Sequence, residues 1–154
     1  MSGADIQYSS IKDELLKHGT YASLSSGTSM EPLFRTHRDV VVITVPSRPL
    51  KKYDVVLYEV SDGSFFLHRI IKVTKDAYLI RGDNTFVLER VAKDAVIGVL
   101  SSYTRKGKKH SVEDLGYKLY SGFWTFIYPL RLLKRKTRSL LSKIYRKLFR
   151  GKRK

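Results

Sequence analysis

Short apolar runs recur along the first two thirds of the chain, and several alternate with polar residues or are rich in β-branched side chains. Such runs, separated by turn-forming residues, predict short β-strands. The predicted strands are TYASLS from residue 20, DVVVITV from 39, VVLYEV from 55, FFLHRIIKVTK from 65, DAYLIRGDN from 76 and AVIGVLSSYTR from 95. The SDGS turn between the third and fourth runs predicts a hairpin. The pattern therefore predicts a mainly β domain, either a barrel or a folded-over sheet.

Helical periodicity marks the two ends of the chain. Near the N-terminus, residues 5–18 place apolar side chains on one helical face, and Gly19 is a typical stop signal. The residues of that face are Ile6, Ile11, Leu15 and Leu16. After Pro129, Leu and Ile recur at helical spacing among twelve Lys and Arg, with no acid. We therefore expect a short helix before the β domain and a basic C-terminal helix after it.

The formal charge of the chain is divided unevenly. Residues 1–104 hold 13 basic and 12 acidic side chains, whereas 105–154 hold 17 basic and two acidic ones, so the tail carries +15 of the total +16. The chain therefore divides into an N-terminal helix (1–20), a near-neutral β domain (21–104) and a basic, aromatic-rich tail (105–154). The absence of cysteine excludes disulfides and a cysteine nucleophile. The four histidines lack metal-site spacing, so no metal or cofactor is predicted.

Four polar residues stand in positions that indicate chemistry. Ser29 lies in the turn SGTSMEP, and His68 interrupts the apolar run FFLHRII. Asp83 and Glu89 follow the next strand. A serine hydroxyl becomes a nucleophile when a base such as histidine takes its proton, and an acid then orients the imidazole. Each residue also has a structural interpretation, because such residues are common in turns and strands. Spacing alone leaves both interpretations open.

The motifs SGTSMEP, DVVVI, KYDVVLY, HRII and RGDN span roughly residues 24–100 and resemble the boxes of the signal peptidase I family and its relatives, the self-cleaving repressors. The bacterial branch has lysine at the position that His68 occupies in this chain. With histidine there, the chain is similar to the endoplasmic-reticulum and archaeal branch. The resemblance implies a coiled β barrel of the signal-peptidase and repressor-peptidase type, with Ser29 as nucleophile and His68 as base. That branch carries its acid shortly after GDN, which implies Glu89, with Asp83 as the competing acid.

The resemblance also implies how the serine turn works. Gly27 and Thr28 would shape the turn, the Ser29 N–H would donate to the oxyanion, and Met30 would form an apolar floor near the substrate. Signal peptidases often supply a second donor from a hydroxyl two residues before the serine, where this chain has Gly27. We therefore expect Thr28, Ser26 or a backbone group to substitute. No cofactor is implied.

The basic tail requires a separate explanation. Aromatic residues between 117 and 128 precede the basic helix. This order favours an anionic membrane surface, since aromatic rings settle at the interface while Lys and Arg meet the headgroups. The predicted membrane-binding residues are Trp124, Phe126, Lys134, Arg135, Lys143, Arg146 and Lys147. Nucleic acid is the competing partner, because the same charge would bind phosphates without the aromatic block.

The sequence thus predicts a serine endopeptidase that cleaves a leader or signal peptide, its peptide or protein substrate, at a membrane surface. The polar opening of the chain predicts neither a signal peptide nor an N-terminal anchor, so we expect a cytoplasmic protein that associates peripherally with the membrane. Two alternatives stay open. One is a catalytically inactive relative that binds membranes or nucleic acid. The other is a self-cleaving repressor-type regulator, although that branch would need lysine at position 68.

Overall fold

The fold is built on one antiparallel sheet of eight strands. A computed structural model of the chain describes residues 11–150. The first part of the predicted N-terminal helix, including Ile6, lies outside the described residues, as do residues 151–154. The strands are β1 (Thr20–Leu24), β2 (Val40–Thr44), β3 (Val55–Glu59), β4 (Phe65–Val73), β5 (Ala77–Arg81), β6 (Glu89–Ala92), β7 (Val96–Arg105) and β8 (Lys108–Ser111). The prediction of a mainly β protein is confirmed.

The strands are hydrogen-bonded in the order β1-β2-β7-β3-β4-β5-β6, and β8 pairs with β7. The predicted β3–β4 hairpin is confirmed, with Val56 opposite His68. The sequence pattern did not reveal β6 and β8. Both have only four residues, and ERVA and KKHS carry charges where an apolar alternation would be needed to predict a strand. Because β8 belongs to the sheet, the β domain extends beyond the predicted boundary at residue 104.

Three helices accompany the sheet: α1 (Ile11–His18), α2 (Leu115–Phe126) and α3 (Tyr128–Arg150), and a single 3-10 turn covers Lys93–Ala95. Helix α1 buries Leu15 in the core and ends at His18, directly before Gly19. Helix α2 was not predicted as a separate helix. Its buried residues, Tyr117 and Ser121, face the sheet, and the Ser121 hydroxyl accepts a hydrogen bond of 2.7 Å from Arg69 of β4. None of the helices within residues 11–150 combines the length and the apolarity needed to cross a membrane.

The apolar core lies in two clusters, and alternate residues of β3 belong to each. One cluster includes Leu15, Met30, Phe34 and Ile43, and it joins α1 and the serine turn to the sheet. The other centres on Tyr58 and on residues of β4 and β5. The serine turn and the strand that carries His68 are therefore anchored in packed core, which fixes the backbone at the predicted site.

Candidate active site

Ser29 lies in the turn that joins β1 to β2. Gly27 has a φ of +74°, a left-handed conformation that glycine adopts without steric cost, and its carbonyl accepts a hydrogen bond from the Thr36 hydroxyl. Met30 follows at once and is buried, whereas Ser29 is half-buried. The turn thus anchors its apolar residue in the core and leaves the serine next to solvent.

The RGDN loop after β5 holds the serine turn in place. The Asn84 N–H donates to the Ser29 carbonyl at 2.7 Å, and the Asn84 side-chain amide donates to the Thr28 carbonyl at 3.2 Å. Gly82 lies so close that a Cβ atom there would be 2.6 Å from the Ser29 carbonyl oxygen. Glycine is therefore required at this position, and the loop acts as a clamp on the backbone of the candidate nucleophile.

His68 lies in β4, where the residue is 4 % exposed. In the hairpin register Val56 is opposite His68, so Tyr58 is its diagonal neighbour on the same face of the sheet. The Tyr58 hydroxyl lies 3.0 Å from Nδ1 of His68 and donates to Oε2 of Glu89 at 2.8 Å. Oε1 of Glu89 is 3.4 Å from the same ring nitrogen.

This arrangement determines which ring nitrogen of His68 carries the proton. Since the single hydroxyl proton of Tyr58 points to the Glu89 carboxylate, the phenol oxygen accepts a hydrogen bond from Nδ1–H of His68. Nε2 is then the lone-pair nitrogen. It is buried, and it has no hydrogen-bond partner anywhere in residues 11–150. The imidazole of His68 is therefore in the tautomer that can accept a proton at Nε2.

The pKa values of this cluster favour the neutral imidazole. Burial lowers the pKa of His68 below its usual 6.5, against the opposing effect of the Glu89 and Asp83 carboxylates. Burial and the hydrogen bond to Glu89 raise the pKa of the Tyr58 phenol well above its usual value, so it stays protonated. His68 is consequently an unprotonated base at neutral pH.

Ser29 and His68 both line one groove with a volume of about 500 Å³ and largely apolar walls, which include Met30. No hydrogen bond joins the two side chains in the described part of the chain, which is common before a substrate binds. Strand β1 and residues 65–68 of β4 also line the groove. Within the described residues, each of these segments pairs with a neighbouring strand on one side only.

The serine turn supplies a free donor for an oxyanion. The Ser29 N–H donates no hydrogen bond within residues 11–150, so it is available to a ligand. Ser26, Gly27 and Thr28 line the groove beside it, as the sequence had suggested for a second donor.

Asp83 makes contacts that differ from those of Glu89. Its carboxylate forms a bidentate ion pair with Arg69 at 2.8 and 2.7 Å, and both side chains are buried. The Tyr120 hydroxyl donates to the same carboxylate at 3.0 Å. The Asp83 carbonyl accepts from the Trp124 indole at 2.8 Å and from Arg131 at 2.7 Å. Of the two predicted acids, Glu89 is thus the one beside the imidazole, and Asp83 joins the clamp loop to α2 and α3.

The helices α2 and α3 expose a series of large apolar side chains. The apolar stripe, as we call it, consists of Leu115, Leu119, Phe123, Phe126, Leu130, Leu133, Leu140 and Leu141, most of them separated by three, four or seven residues. Phe126, predicted to bind a membrane, belongs to the stripe and is 79 % exposed, whereas Trp124 is half-buried against Asp83. The predicted cations Lys134, Arg135, Lys143 and Arg146 are exposed, and the side chain of Lys147 lies outside the described residues.

Neither a scan against protein-family models nor a search of curated proteins finds a match to this chain. The resemblance to signal peptidases therefore stays a prediction, and the functional argument depends on the geometry of the site.

Sequence reasoning missed Tyr58, the residue that connects His68 to Glu89. A signal was present, because the predicted hairpin, closed by SDGS, sets the register and brings Tyr58 next to His68. The roles of Tyr120 and Trp124 had no such signal, since their contacts to Asp83 span about forty residues of sequence.

Proposed function

We propose that the chain is a serine endopeptidase of the signal-peptidase-like type, in which Ser29 is the nucleophile and His68 is the general base. One observation carries the proposal. Nε2 of His68 is buried and without a hydrogen-bond partner within residues 11–150, and it belongs to a side chain that lines the same groove as Ser29. A buried polar atom without a partner costs free energy, and a reacting hydroxyl would satisfy it.

In the proposed reaction, the Ser29 hydroxyl oxygen attacks the peptide carbonyl while its proton moves to Nε2 of His68. The Ser29 N–H stabilises the oxyanion. The imidazolium then gives its proton to the leaving amine, the peptide bond breaks, and an acyl-enzyme remains. A water molecule, deprotonated by the same nitrogen, hydrolyses that ester. Tyr58 and Glu89 hold the imidazole and favour its positive form during each transfer.

The substrate is proposed to bind as an extended strand in the groove. Free strand edges accept extended peptides through main-chain hydrogen bonds. The one-sided pairing of β1 and of residues 65–68 of β4 supports this mode, as do the apolar walls between them. We further propose that the sheet is the coiled barrel of the signal-peptidase and repressor-peptidase type. The turn with Ser29, the strand with His68 and the RGDN loop follow one another along the chain in the order of that family.

The peptidase proposal is tested with a fluorophosphonate, which forms a stable adduct with activated serines. Intact-protein mass spectrometry should show a single adduct on the wild-type chain and none on Ser29→Ala. Ser61→Ala, in the exposed turn between β3 and β4 and outside the groove, is the control and should be labelled as fast as the wild type. Absence of labelling in the folded wild-type chain would support the catalytically inactive relative instead.

We propose in addition that α2 and α3 lie on an anionic membrane surface. The apolar stripe flanked by Lys and Arg supports this association, because apolar burial and headgroup attraction act together. The full chain should sediment with phosphatidylserine-containing vesicles, and Phe123→Ser/Phe126→Ser should not. Leu24→Ser, which removes an exposed apolar side chain outside the helices, should leave sedimentation unchanged. Tight duplex DNA binding without vesicle binding would contradict the membrane proposal.

A further inference from the structure

A second concave site adjoins the groove, with a volume of about 640 Å³. We call it the cationic pocket, and its principal residues are Arg131, Lys134, Arg135, Arg138, Phe86 and Trp124. The four basic residues follow a spacing of three, four and seven, which places them on one face of α3. None of the four forms an ion pair with a carboxylate in the described part of the chain, and Glu31 is the one acidic residue in the lining.

Two of the four cations, Arg131 and Arg135, stack on the aromatic side chains of the pocket. The Arg131 guanidinium lies 4.1 Å from the Trp124 ring centroid and donates to the Asp83 carbonyl at 2.7 Å. The Arg135 guanidinium lies 4.6 Å from the Phe86 ring centroid. Stacked guanidinium groups keep N–H donors free at their edges, and those donors match carboxylate oxygens. The pocket therefore presents fixed donors for an anionic group.

The pocket continues from the catalytic groove. Asn84 lines both spaces, and the same residue clamps Thr28 and Ser29 through its side chain and its N–H. An extended chain covers about 3.3 Å per residue. Because one residue borders both spaces, a peptide extended along the groove can continue into the pocket.

The orientation of the pocket on α3 argues against a lipid headgroup as its ligand. At about 100° per residue, Arg131 and Arg135 lie roughly 130° and 170° around α3 from the centre of the stripe residues on that helix. A membrane that contacts the stripe would therefore be on the far side of the helix from these two side chains, which instead face the loop that holds Ser29.

We propose that the cationic pocket binds acidic side chains of the peptide substrate, a few residues from the bond that is cut. The inference rests on the proposed peptidase function and adds a substrate class to it. Acidic residues at that distance would dock in the pocket and fix the register of the peptide in the groove, which links recognition to the position of cleavage.

The first test measures binding alone. Trp124 is the only tryptophan of the chain and lines the pocket, so its fluorescence reports occupancy. The full chain is titrated with a hexaglutamate peptide at about 0.15 M salt, where distant charges are screened. Arg135→Gln/Arg138→Gln should bind about tenfold more weakly than the wild type. Lys143→Gln/Arg146→Gln loses the same charge from the same helix outside the pocket and should bind like the wild type. Ser29→Ala should also bind normally.

Two results of this titration would overturn the inference. One is equal weakening in both double variants, which would mean that net charge alone attracts the peptide. The other is unchanged hexaglutamate binding in Arg135→Gln/Arg138→Gln, and loss of sedimentation on phosphatidylserine vesicles in the same variant would then assign the cations to headgroups.

The second test separates this inference from the peptidase proposal. The chain is incubated with a proteome-derived peptide library, and the cut peptides are sequenced by mass spectrometry. Asp and Glu should be enriched within about six residues on one side of the cut, and the enrichment should disappear in Arg135→Gln/Arg138→Gln. Cleavage without this enrichment would contradict the proposed substrate class and leave the peptidase proposal standing. Specific hexaglutamate binding without any cleavage or fluorophosphonate labelling overturns the peptidase, and with it the substrate role of the pocket.

Discussion

The Tyr58 hydroxyl lies 3.0 Å from Nδ1 of His68 and donates to Glu89 at 2.8 Å, so a phenol connects the imidazole to its carboxylate. In a serine–histidine–acid arrangement the acid binds the imidazole directly. Here the direct separation, from Nδ1 to Oε1 of Glu89, is 3.4 Å, and the tyrosine provides the shorter route. In the proposed reaction Tyr58 is therefore a positioning residue, whose hydroxyl keeps the proton on Nδ1 and leaves Nε2 available.

Tyr58→Phe tests this role directly. The substitution keeps the ring and removes the hydroxyl, so the preferred tautomer is lost while the packing remains. The loss of one hydrogen bond to the base, on the order of 1.4 kcal/mol, should slow fluorophosphonate labelling about tenfold. Tyr78→Phe, a buried tyrosine in the same core cluster, is the control and should be labelled at the wild-type rate. Because tautomer loss changes proton transfer, the pH dependence of labelling should shift in Tyr58→Phe alone.

Substitution of the two acids should have different effects on labelling and on stability. Glu89→Gln removes a partly exposed charge that stabilises the imidazolium, so labelling should slow by about 10- to 100-fold while the melting temperature changes little. Asp83→Asn breaks the buried ion pair with Arg69 and should lower the free energy of unfolding by about 3–5 kcal/mol. Thermal denaturation and labelling rates, measured on both variants, separate the roles. The assignment fails if folded Asp83→Asn is inert while Glu89→Gln reacts normally.

The lowered pKa of His68 gives a prediction for pH. Labelling requires neutral imidazole, so its rate should fall as pH drops, with a midpoint below 6.5. Stability should change in the same direction. The unfolded chain protonates His68 at a higher pH than the folded chain does. The contribution of His68 to the free energy of unfolding is therefore complete above pH 6.5, and it decreases as pH falls through the unfolded and then the folded pKa. His68→Gln should remove that part of the pH dependence of unfolding, and an unchanged profile in this variant would rule out His68 as its source.

Gly82→Ala should damage the site through the backbone. The new Cβ would lie 2.6 Å from the Ser29 carbonyl oxygen, so the serine turn must move. We expect labelling to slow at least about tenfold and the free energy of unfolding to fall by about 1–3 kcal/mol. Gly116→Ala is the control, because its Cβ meets nothing within 4 Å in α2. That variant should label normally, and its helix should gain up to about 1 kcal/mol. Normal labelling of Gly82→Ala would show that the clamp does not position Ser29.

Much of this site could be predicted from local sequence. Ser29 stands in a glycine-containing turn, His68 interrupts an apolar strand, and the GDN residues follow at the next strand end; each is a local signal. The distinction between Glu89 and Asp83 was not local. It depends on Arg69, which forms an ion pair with Asp83. It also depends on α2, in which Tyr120 donates a hydrogen bond to Asp83 from far along the chain. Contacts of that sequence separation are determined by packing, which no periodicity reveals.

The most direct test of the central claim, that His68 activates Ser29, is the rate of fluorophosphonate labelling of His68→Ala, with peptide mapping of the adduct. The wild-type adduct should map to Ser29 and not to Ser25 or Ser26. Removal of a general base typically costs about 10²–10⁴-fold, so His68→Ala should be labelled slower by that factor while its circular dichroism spectrum stays that of a folded chain. A folded His68→Ala chain labelled at the wild-type rate, or a wild-type adduct on any other serine, would contradict the account.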